Sequence, residues 1–112
     1  MTNVQDYLLP ELQTLQASLN LDMSSRTAEK YTYYVSSLRD IIRHLPDEWS
    51  STTRSFVSCH PYCGPQEILR ELEAEMLVQQ NNDRQVDVLE SISSFARLLL
   101  TIQDNVAESL RA

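Results

Sequence analysis

Apolar residues recur along this chain at steps of three and four, the spacing of one face of an α-helix. Prolines and short polar clusters divide the pattern into five segments. In the first, from about Val4 to Leu19, the stripe is Leu8, Leu12, Leu15 and Leu19. Pro10 falls inside it, and proline is tolerated in a first turn but kinks a helix interior. The regular helix is therefore expected to begin near Leu9, with a looser turn before it. Asn20, Asp22, Ser24 and Ser25 end the segment. The second runs from about Ser25 to His44 on Tyr31, Val35, Leu38, Ile42 and Leu45, widened by Tyr34 and Ile41. Ser24 or Ser25 can cap it through its side-chain oxygen, and Pro46 stops it.

The third segment, from about Pro46 to Val57, opens on Pro46, Asp47 and Glu48, which suit a first helical turn. Trp49, Thr53, Phe56 and Val57 share a face, but the polar stretch from Ser50 to Ser55 allows part of it to be loop. Cys59 to Gly64 is the main irregular segment. Pro65 then opens a fourth helix to about Gln80, with Ile68, Leu69, Leu72, Met76 and Leu77 as its apolar face. Asn81, Asn82 and Asp83 make a turn. The fifth segment, Asp83 to about Arg111, carries Val88, Ile92, Phe95, Leu99, Ile102 and Val106 in strict four-three alternation, a heptad seam. Leu89, Ala96 and Leu110 widen it. Leu98 and Leu100 make its middle apolar around most of the circumference, as in a helix that is central or contacted twice.

The expected fold is all-α: a compact bundle of four to five helices with a long C-terminal amphipathic helix. Residues 1–112 are expected to form one domain, a length that suits one. Composition reinforces this. There is a single glycine, Gly64, against about eight in an average chain of this length. That scarcity opposes an all-β fold rich in tight turns and leaves no glycine-rich phosphate loop. The net charge is −7, with one lysine and eight arginines against sixteen acids. A nucleic-acid binder needs a basic surface, so direct nucleic-acid binding is not expected. After residue 54, nine acids meet four arginines. A solvated acidic face explains this, and steering toward a basic partner is the sharper alternative. No secretory segment, spanning apolar run or Asn-x-Ser/Thr acceptor is visible. The expectation is an intracellular protein, cytoplasmic or nuclear, away from membranes, with reduced cysteines.

The fifth helix is the best clue to function. At about 1.5 Å per residue its roughly 28 residues reach about 42 Å, whereas the others reach about 30 Å at most. An overhanging seam would expose large aliphatic side chains, each forgoing about 1.5–3 kcal/mol of burial. A partner chain would cover them, through Leu98, Leu99, Ile102, Val106 and Leu110. The competing expectation is that the first helix covers the extra length. Tyr33, off the apolar face of its helix, is a further partner-binding candidate, since tyrosine is enriched at interface hot spots.

Other constellations carry ordinary readings. Cys59, His60 and Cys63 offer zinc-ligand chemistry, but Cys-x₃-Cys without a second cluster falls short of four ligands, so a packed loop is favoured and no metal or cofactor is expected. His44 suits a helix C-terminus. Glu67, Glu71, Glu73 and Glu75 read as a solvated face, with Arg70 between them. Ser50, Ser51, Thr52, Thr53 and Ser55 around Arg54 could accept phosphate. No nucleophile–base pair stands at a recognisable spacing. The expected function is thus a non-enzymatic protein–protein interaction or assembly module, as a homo-oligomer or a complex subunit. The alternative is a small acidic regulator masking a basic partner. A metal protein or enzyme built on Cys59, His60 and Cys63 ranks last.

Overall fold

Five helices and no strands make up the described part of the computed structural model: α1 (Val4–Leu21), α2 (Ala28–Arg43), α3 (Asp47–Cys59), α4 (Pro65–Val78) and α5 (Asp83–Arg111). The backbone is described for residues 4–21, 28–45, 47–59, 64–81 and 83–111, and side chains for 10–20, 29–45, 52–58, 64–81 and 86–108. The result is a compact all-α globule whose longest helix is at the C-terminus.

Helix α5 is the spine. Its 29 residues span about 43 Å by helical rise, nearly the 47 Å long axis of the molecule. It packs most extensively on α4 and also meets α1 and α2. A short turn joins α4 to α5, which makes them antiparallel neighbours. An exposed ion pair between Glu73 and Arg97 marks their register. Stepping back along α4 from Glu73 advances along α5, and Gly64 and Pro65 accordingly share a cavity wall with Gln103.

The heptad seam faces inward. Val88, Ile92, Phe95 and Leu99 are fully buried, and Ile102 is nearly so. They join Leu12 and Leu19 of α1, Leu38 and Ile42 of α2, Val57 of α3, and Ile68 and Leu72 of α4 in one core. Leu98 and Val106 are partly buried against the same core. The overhang that called for a partner is thus not seen among the described residues: α1, α2 and α4 cover the seam from different sides.

Two local expectations change, at α1 and α4, and the one left open, at α3, resolves as helix. Helix α1 continues through Pro10 and begins at Val4 rather than near Leu9. Pro10 is exposed, on a side where a carbonyl freed from the helical ladder can be hydrated. Helix α3 is helical throughout, including its polar stretch. Thr53 and Val57 are buried one turn apart, and Arg54 Nη1 donates to the Leu45 carbonyl at 2.9 Å, so tertiary contacts outweigh weak local propensity.

Helix α4 is turned relative to the expected face. Ile68, Leu72 and Glu75 are buried, whereas Leu77 is 73% exposed. At about 100° per residue, Leu77 lies about 140° from Leu72 and Glu75 only about 60°. Ile68 and Leu72 fix the rotation, and Leu77 is carried outward. Glu75, expected on the solvated face, turns inward and accepts a hydrogen bond from Gln79 Nε2 at 3.2 Å. At the other end of α4, Pro65 occupies the first turn, and the Gly64 N–H donates to Glu67 Oε2 at 2.9 Å.

The burial of Phe95 and Leu99 has a direct consequence. Phe95→Ala should lower unfolding free energy by about 3–5 kcal/mol in urea titrations. Leu99→Asp should abolish the cooperative melt rather than detach an otherwise intact helix. A Leu99→Asp protein with wild-type helicity and melting temperature would contradict this packing.

Candidate functional site

With the seam from Val88 to Ile102 buried in the core, the large apolar side chains left largely exposed among the described residues are Tyr33, Leu77 and Val78. Tyr33 belongs to the cluster Tyr31–Tyr33–Tyr34 on α2. The helical spacing separates the three as expected. Tyr34 is buried, Tyr31 is half-buried against the core, and Tyr33 is 62% exposed. Tyr33 and Tyr34 meet edge to face, with centroids 5.3 Å apart and planes at 72°, a favourable arrangement that restrains Tyr33 from one side.

Tyr33 lines a cavity of about 200 Å³ between α1 and α2, together with Glu11, Leu15, Ser37, Asp40, Ile41 and His44. Glu11 and Asp40 are exposed at its edge, and Ile41 is buried. The Ser37 hydroxyl donates to the Tyr33 carbonyl at 3.1 Å. His44 lies just beyond α2. Its backbone N–H donates to the Asp40 carbonyl at 3.2 Å, and its Nδ1 lies 2.7 Å from the same oxygen. With Nδ1 protonated the ring donates there, so His44 closes the helix end as its position predicts. The cavity combines an aromatic ring, two carboxylates and hydroxyl groups, which suits a cationic side chain more than an anion.

The other sequence candidates are distributed differently. Leu99 and Ile102 are buried in the chain's own core, and Leu98 and Val106 pack partly against it. Leu110 lies outside the described side chains, as do Cys59, His60, Cys63, Ser50 and Ser51. Among the described residues no group of three or more His, Cys, Asp or Glu could hold a metal ion. No described helix is long and apolar enough to cross a membrane. Thr53, one of the candidate phosphate acceptors, is fully buried and inaccessible to a modifying enzyme. Thr52 and Ser55 are exposed. The exposed pair Leu77–Val78 was missed because Leu77 was assigned to a buried face. The wheel positions of Ile68 and Leu72 alone would have placed it outside.

The surroundings of Tyr31 oppose its ionisation. Burial, then the negative charges of Asp104 and Glu67, push its phenol up to about 12. Its hydroxyl is enclosed without a hydrogen-bond partner among the described residues. No family model, curated protein or solved structure matches this chain.

The Tyr31 environment predicts a pH response. The folded chain holds this proton above the ordinary tyrosine value of about 10, so the contribution is fully present below pH about 10. It is lost as pH rises through about 12. Ultraviolet titration should show one tyrosine ionising late, and Tyr31→Phe should remove that component. Because the hydroxyl lacks a partner, Tyr31→Phe should leave stability unchanged or raised. Loss of stability would show that the hydroxyl is bonded.

Proposed function

We propose that this chain is a non-enzymatic protein–protein interaction module whose contact surface centres on Leu77 and Val78 at the end of α4. One observation supports this reading: two consecutive aliphatic residues are each 73% exposed, while Glu75, two positions earlier, is buried. The rotation set by Ile68 and Leu72 puts positions 77 and 78 in water, yet the sequence keeps aliphatic side chains there and a carboxylate at the buried position 75. Departures of this kind concentrate at functional sites, where another requirement opposes stability. A partner, or a second copy of this chain, covering Leu77 and Val78 removes apolar surface from water. This reading moves the interface away from Leu99 and Ile102 and leaves α5 as the scaffold.

A second reading is an acidic protein that covers a basic surface. The cavity beneath Tyr33 favours it, because Glu11 and Asp40 stand beside an exposed ring. Contacts of that type weaken strongly with salt, whereas the aliphatic contact does not.

Sedimentation at high concentration and retention of partners from the native source test the first reading. The wild type should exceed monomer mass or retain a partner, and Leu77→Asp with Val78→Asp should lose that association with unchanged helicity. A wild type that stays monomeric and retains nothing ends the proposal. An association abolished by salt and by Tyr33→Ala, but not by the α4 changes, transfers the function to the second reading.

A further inference from the structure

Arg43 and Arg54 come together in an open cavity of about 470 Å³, lined also by Ser55 and Ser58. The two arginines arrive from different helices, Arg43 from the last turn of α2 and Arg54 from the middle of α3. Ser55 and Ser58 are three residues apart and Arg54 and Ser58 four apart, spacings that place neighbours on one helix face. Arg43 and both serines are exposed, and Arg54 is half-buried.

Arg54 is held in place. Its Nη1 donates to the Leu45 carbonyl at 2.9 Å, which fixes the orientation of the planar guanidinium. The same bond offsets the negative carbonyl end of α2, which would otherwise repel an anion. Arg43 stands exposed in the last turn of α2. In a chain of net charge −7, this convergence runs against the overall composition. Guanidinium groups match phosphate oxygens in a two-point geometry, and serine hydroxyls add neutral donors.

We infer that this cavity is a binding site for a phosphomonoester dianion, with Arg43 and Arg54 as its charged donors and Ser55 and Ser58 as its hydroxyl donors. The inference stands apart from the proposed contact at Leu77 and Val78, on a different pair of helices. The phosphoryl group could be presented by a phosphoserine side chain of a partner or arrive as free phosphate, and both use the same donors.

Nuclear magnetic resonance titrations of the full chain at constant ionic strength test the site. The probes are inorganic phosphate, a short phosphoserine peptide and its unphosphorylated form. Saturable shifts are expected at the amides of Arg54, Ser55 and Ser58, with the phosphorylated peptide binding at least tenfold tighter than the unphosphorylated one. Arg43→Gln should weaken binding at least tenfold without changing the melting temperature, because Arg43 is exposed. Ser58→Ala should weaken it less. Peptide preference over inorganic phosphate identifies a phosphorylated partner, and equal affinity identifies free phosphate. The inference is overturned if neither phosphate probe shifts these amides, if chloride reproduces the shifts, or if Arg43→Gln binds as tightly as wild type.

Discussion

The burial of one helical seam organises this molecule. Val88, Ile92, Phe95, Leu99 and Ile102 form a continuous apolar line along α5, and α1, α2 and α4 are arranged to keep water from it. Hydrophobic burial is non-directional and scales with area, so it sets which faces turn inward but not every rotation. Rotation is fixed by the closest-packed positions. In α4 these are Ile68 and Leu72, and their demand is strong enough to take Glu75 inward and put Leu77 in water. Surface chemistry is therefore partly a by-product of core geometry.

The number of helices, the approximate limits of α4 and α5, and the central place of α5 were legible in the sequence, because strict three-four periodicity over many residues admits few alternatives. The fate of Tyr33 and Tyr34 was legible for the same reason: adjacent residues on a helix point about 100° apart. The start of α1 was not legible, because a helix tolerates a proline such as Pro10 only where the freed carbonyl faces solvent, and that side is set by packing. The third segment was legible as a helix, but its polar stretch left a loop open, because its stability comes from distant contacts, among them Arg54 with the Leu45 carbonyl.

The candidate site was less legible. Length alone suggests an overhang at the C-terminal seam, because no other helix matches α5. Helices placed at different points along a rod can cover it although none matches its length. The cavity beneath Tyr33 draws residues from α1 and α2, and the arginine cavity draws from α2 and α3. Neither grouping follows from sequence spacing, since each depends on how two helices dock. Within one helix the spacing is informative, as Ser55 and Ser58 illustrate. Between helices it is silent.

Helix α3 stands apart from this arrangement. Its main contacts are with α2 and α4 rather than with the spine, and among its described residues Thr53 and Val57 are those that bury fully. The molecule thus has two tiers of cooperativity. Opening α1, α2 or α4 exposes the central seam and engages most of the folding free energy, whereas α3 can lift as a smaller unit. Amide exchange would then proceed through α3 by partial opening while α5 waits for global unfolding. Whatever binds beside Arg54 would couple to the looser tier, tightening α3 without disturbing the frame beneath it.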